Sequence, residues 1–186
     1  MKTFLVLLLA AKLYGNVSVD YISTFYYEPS VTISFENWKK GDLSVTITSM
    51  GGQIIFNDRL DTRKADGIKY NLRNLDSGKY EIVLENNDKK VVETVILFDG
   101  KIAEKEAQVY YKPVIEMVDN KLKVNFLSFD GSASIKIYDE ALTVYAERFE
   151  NANPMNKVFD LSRLEPGKYT AVVGDGYTSR TVEFEK

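Results

Sequence analysis

Tyr70-Asn-Leu-Arg-Asn-Leu-Asp-Ser-Gly-Lys-Tyr-Glu-Ile-Val-Leu84 and Phe159-Asp-Leu-Ser-Arg-Leu-Glu-Pro-Gly-Lys-Tyr-Thr-Ala-Val-Val173 align without a gap. Leu72 and Leu161, Leu75 and Leu164, Gly78 and Gly167, and Tyr80 and Tyr169 each stand 89 residues apart. A block repeated in register within one chain marks a duplicated structural unit. The match continues upstream, with Val45 and Ile47 against Ile135 and Ile137 at a spacing of 90. Val31, Ile33, Phe35 and Trp38 fall against Leu122, Val124, Phe126 and Phe129 at 91, so single-residue gaps align most of both halves. A rival match of Tyr26-Tyr27-Glu28-Pro29 with Tyr110-Tyr111-Lys112-Pro113 sits at 84 and is read as coincidence.

Within each copy the hydrophobic period is two. Leu43, Val45 and Ile47 alternate with Ser44, Thr46 and Thr48, and Leu122, Val124 and Phe126 alternate with Lys121, Lys123 and Asn125. Such alternation marks strands with one buried and one wet face. Gly51-Gly52, Asp99-Gly100, Asp119-Asn120, Asp130-Gly131 and Asp175-Gly176 punctuate them with residues that tolerate the positive φ of tight turns. The chain therefore reads as all-β, two tandem immunoglobulin-like antiparallel sandwiches. Residues 101–107 alone have helix-forming composition, too short a run for an independent helix, and are expected to carry the junction. The expected division is a signal peptide over 1–18, a first module over 19–103 and a second over 104–186.

In the repeated block, two Leu three residues apart cap the core where the chain crosses between sheets. Gly78 and Gly167 are expected to permit the tight corner. Tyr80 and Tyr169 then open a strand, each with its hydroxyl bonded back to the corner backbone. This pattern resembles fibronectin-III-like and other immunoglobulin-like modules. It is more closely similar to the short β-sandwich domains of secreted Bacteroidota proteins, among them the C-terminal sorting domains of type IX secretion and small related domains of unknown function. The hairpins Val45–Ile55 and Ile135–Val144 and the corner Asp160–Tyr169 carry that likeness. The resemblance implies an exported, non-enzymatic module.

The N-terminus gives an independent pointer to export. Lys2 precedes the apolar run Phe4-Leu-Val-Leu-Leu-Leu-Ala-Ala11, the layout of a signal peptide and too short to span a bilayer. Cleavage is expected near Gly15 or Ser18. No stable membrane insertion is expected after its removal.

The 186 residues include no His and no Cys. This excludes Ser-His-Asp and Cys-His nucleophile systems, disulfides, His- or thiolate-held metals and a lipidated N-terminal Cys. The net charge of -3 comes from interspersed acids and bases with no basic patch, so nucleic acid is not an expected partner. Glycoside hydrolysis needs a carboxylate pair, and the spacing of Asp58, Asp61, Glu147 and Glu150 selects none. The oxygen-rich Asn86-Asn87-Asp88 suits a turn better than calcium, which here lacks any twelve-residue loop spacing. No catalytic residue, cofactor or metal is expected. Tyr26, Tyr27, Tyr110, Tyr111, Tyr145, Tyr177 and Trp38 exceed what two small cores hold, leaving aromatic surface for a protein or glycan. The aligned pair Trp38 and Phe129 is expected in the core. The functional expectation is an exported binding or structural protein, with a glycan-binding module and a secretion sorting or assembly domain as alternatives.

Overall fold

The computed structural model describes residues 22–25, 29–140, 142–151 and 153–186. The expected signal segment 1–18 and residues Tyr26 and Tyr27 lie outside them.

The first half forms β1 (Ile22–Phe25), β2 (Ser30–Ser34), β3 (Asp42–Ser49), β4 (Ile54–Asp61), β5 (Gly67–Asn71), β6 (Gly78–Glu85), β7 (Lys89–Phe98) and β8 (Lys101–Tyr111). They pair as a three-stranded sheet, β1-β2-β5, and a five-stranded sheet, β4-β3-β6-β7-β8, all antiparallel. The second half forms β9 (Val114–Val118), β10 (Lys121–Phe126), β11 (Ala133–Asp139), β12 (Leu142–Phe149), β13 (Met155–Asp160), β14 (Lys168–Gly174) and β15 (Ser179–Glu185). Its sheets are β9-β10-β13 and β12-β11-β14-β15. Removing β8 makes the two orders identical. In both, the fourth strand pairs beside the third, giving an immunoglobulin-like sandwich of three strands against four.

The alternation read from sequence places the cores. Val31 and Ile33 from β2 meet Val45, Ile47, Ile82, Leu84, Val91 and Val95 from the opposite sheet in one cluster. Leu122, Val124, Ile135, Ile137, Ala171 and Val173 belong to a second, separate cluster. Register repeats in detail. Ile33 faces Ile68 as Val124 faces Lys157, and the bulge after Ile47 in β3 recurs after Ile137 in β11. A bulge bends its strand and increases local twist, so its repetition gives both sheets the same curvature.

Two expectations are corrected. Residues 101–107, expected to carry the junction, are strand, and β8 stays in the first module's sheet as far as Tyr111. Consecutive left-handed residues, Asp99 at φ 48° and Gly100 at φ 65°, fold β8 back along β7 as a tight hairpin. The sheets therefore divide at Lys112-Pro113, later than the expected 103/104. The second correction concerns Phe129. Trp38 is buried in the first core, yet Phe129 is 45% exposed, because its loop turns toward the other module.

Candidate functional site

The repeated corner is built from four hydrogen bonds, three local and one to a distant strand end, each occurring twice. The side-chain oxygen of Asn71 accepts the Arg73 amide (3.0 Å), and that of Asp160 accepts the Ser162 amide (2.9 Å). The Leu72 amide donates to the Pro29 carbonyl (2.7 Å), as Leu161 does to Asn120 (2.8 Å). Leu75 and Leu164 amides close turns onto the Leu72 and Leu161 carbonyls. Tyr80 Oη donates to the Asp76 carbonyl at 2.9 Å and Tyr169 Oη to the Glu165 carbonyl at 2.8 Å. Leu72 and Leu161 are buried, whereas Leu75 and Leu164 pack half-buried against the two cores.

The glycines act differently from expectation. Neither Gly78 nor Gly167 has positive φ, and a Cβ at either would rest 3.7 Å from the ring of its own tyrosine, an ordinary contact. Gly167→Ala should therefore change stability by no more than ~0.5 kcal/mol. Tyr169→Phe, which strands the Glu165 carbonyl, should cost about 1 kcal/mol. Urea denaturation of the two variants decides between a corner held by the hydroxyl and one held by the glycine.

Asp58, Asp61, Glu147 and Glu150 are each engaged by a residue within three positions along the chain. Asp61 binds Arg63 Nε at 2.7 Å and lies 3.8 Å from Lys64 Nζ. Asp58 accepts the Arg59 amide, Glu150 pairs with Arg148 at 2.8 Å, and Glu147 accepts the Tyr145 hydroxyl. Among the described residues no group of three acidic side chains is placed to hold a metal ion. Asn86 Oδ1 accepts the Asp88 and Lys89 amides, as Asp175 Oδ1 accepts the Tyr177 and Thr178 amides. Both are turn caps of equivalent hairpins.

Hydrogen bonds from the Arg63 side chain and amide hold Asp61 down to about 2. A depressed folded value means that its contribution to stability is present above the unfolded value and is lost as pH falls toward about 2. Carboxyl titration by NMR should show this midpoint, and Arg63→Ala should return it toward the ordinary 3.8. An unmoved midpoint would reject the arginine as its cause.

Strand register makes Phe56, Asp58 and Tyr70 equivalent to Tyr145, Glu147 and Phe159. In each copy the two rings meet edge-on, at 4.8 Å and 5.9 Å between centroids. One ring of each pair carries a hydroxyl and one acid lies beside it. Burial and, second, Asp58 push Tyr70 up to about 12, and the hydrogen bond to Glu147 does the same to Tyr145. Sequence reading missed this pattern because the hydroxyl changes strands between copies.

Three further aromatic rings gather at the junction. Tyr110 stacks on Tyr177 at 5.2 Å, and Phe129 meets both edge-on at 4.9 Å. Thr178 Oγ1 donates to the Tyr111 carbonyl (2.8 Å), and the Arg180 guanidinium donates to the Asn87 carbonyl. Lys112 is fixed to the first module by its amide on Asp88 O (2.9 Å) and its Nζ on Glu85 (2.6 Å). These rings pack on one another across the junction, and Phe129 and Tyr177 keep part of their surface open to solvent. A cleft of about 460 Å³ at the same end of the first module is lined by Lys39, Lys40, Asp42, Arg59, Glu85 and Lys112. Two ion pairs lie within it, Arg59 with Asp42 and Lys112 with Glu85, and Lys40 Nζ donates to the Thr62 carbonyl.

Residues 28–98 match the family model described as a secretion system C-terminal sorting domain, less than half of the chain. The resemblance to type IX sorting modules thus holds for the first sandwich. Such a domain implies an exported protein and is typically non-enzymatic. No curated protein matches the chain. Among solved structures, it is similar to a biofilm-associated protein BSP domain (14% identity, TM-score 0.29, covering 84% of this chain and 26% of that one). The FN1–FN3 domains of chicken CNTN1 match at 10% identity and TM-score 0.28, covering 84% and 60%. The human OSCAR ligand-binding domain matches at 11% and 0.25, covering 88% and 92%. The chain thus spans about a quarter and three fifths of the first two.

Proposed function

We propose that this is an exported, non-catalytic protein whose two modules serve as a binding or structural element of the cell envelope or the extracellular space. The observation that carries the reading is the match of residues 28–98 to a secretion sorting domain. The signal-like N-terminus and the engagement of Asp58, Asp61, Glu147 and Glu150 by neighbouring groups support it. Fractionation of native cells should place the protein outside the cytoplasm, with a new N-terminus at about residues 14–20. Intact Met1 on a cytoplasmic protein would overturn the proposal.

The same match favours a second reading, a sorting or assembly role within a secretion system. Fusing the chain behind an exported reporter separates the two. A sorting domain carries the reporter to the cell surface, and a resident binding module leaves it where the signal peptide delivers it.

A further inference from the structure

The two sandwiches are copies, so each is a control for the other. In the first, β8 pairs along the whole outer edge of β7. In the second, β15 takes the place of β7, and among the described residues no strand pairs with its outer edge. Tyr80 faces Val95 as Tyr169 faces Phe184, so Val91, Glu93 and Val95 correspond to Arg180, Val182 and Phe184. The first three are buried and the second three are half-buried. Ile22 of β1 is likewise buried, whereas its counterpart Ile115 of β9 is half-buried, with Val114, Met117 and Val118 of that strand exposed. The difference follows the presence of β8, whose Ile102 is buried and whose Val109 packs against the first core. An open edge offers unpaired backbone donors and acceptors to an incoming strand.

We propose that the outer edge of β15, with the neighbouring β9, is the docking site for an extended segment of another protein, added antiparallel as β8 is added to β7. Charge selects the occupant. The outward positions of β15 include the exposed Glu183 and Glu185, where β7 has Thr94 and Ile96 facing Glu106 and Glu104 of β8. A strand of β8's own charge would set Glu against Glu, so the segment that fits carries Lys or Arg at those two positions. Its inward positions follow those of β8, small or apolar where Ala107 is opposite Glu93 and Ile102 opposite Leu97, and long-stemmed where Lys105 is opposite Val95. This deepens the binding reading above and rests on it, but its test is made in solution and does not depend on where the protein resides.

The probe is a synthetic peptide of residues 101–111 carrying E104K and E106K, titrated into the 15N-labelled protein. Shift changes and slowed amide exchange are expected along β15 and β9. The unsubstituted peptide should bind about three- to tenfold more weakly, from two cross-strand charge pairs. In the protein variant Glu183→Lys/Glu185→Lys, both changes being on exposed side chains, the preference should invert. Failure of the substituted peptide to bind up to about 1 mM, equal affinity for both peptides, or shifts on β7 instead would overturn the proposal. So would concentration-dependent self-association without peptide that Val182→Lys abolishes, which would give the edge to a second copy of this chain. If the protein proves cytoplasmic yet selects the basic peptide, the export reading fails and this one stands.

Discussion

Leu161→Ala should lower the stability of the second module by about 2–5 kcal/mol while leaving the first nearly untouched. Leu161 is 4% exposed and its amide anchors the corner to Asn120, so truncation leaves a void in a place held by backbone bonds on both sides. The loss is a large fraction of the ~5–15 kcal/mol that holds a domain together. Leu164→Ala, at a half-buried side chain, should cost less, and Lys157→Ala, at an exposed one, no more than ~0.5 kcal/mol. The chain has one tryptophan, Trp38, and it lies in the first core. Its fluorescence in urea reports that module alone, and far-UV circular dichroism reports both. In Leu161→Ala the dichroism should show an early transition and the fluorescence midpoint should stay where it was. If both midpoints fall together, the junction couples the sandwiches into one cooperative unit and their cores are not independent.

The complementary change, Trp38→Ala, should cost the first module about 3–5 kcal/mol. The indole is 4% exposed among Phe35, Leu43 and the β3–β6 core, with Lys89 Nζ 4.8 Å above the ring. Amide exchange in β2, β3 and β6 should accelerate while β10, β11 and β14 keep their protection. A Trp38→Ala protein of unchanged stability that had lost binding to a glycan or protein would assign this residue to a functional surface instead of the core.

The duplication, the strand type and the corner were legible in the sequence because each is fixed by neighbours close along the chain. A period of two specifies which face is buried, and Leu-x-x-Leu-x-x-Gly-x-Tyr places a hydroxyl four residues beyond the carbonyl it binds. Both copies consequently share topology, bulge and turn caps.

Tertiary structure alone decided four matters. Residues 101–107 have helix-forming composition, but intrinsic propensity amounts to less than about 1 kcal/mol per residue. The Asp99-Gly100 turn delivers them to the open edge of β7, where ladder bonds and the burial of Ile102 outweigh it. Trp38 and Phe129 align in sequence yet differ in burial, because the rings that meet Phe129 include Tyr110 from the other module. The two leucines of each corner look alike in the motif, and only the packing of the sheets shows that the first is enclosed and the second is not. The open edge of β15 differs from β7 mainly in what lies beside it. Local pattern determines which way a side chain points; the elements brought against it from elsewhere determine whether it is covered.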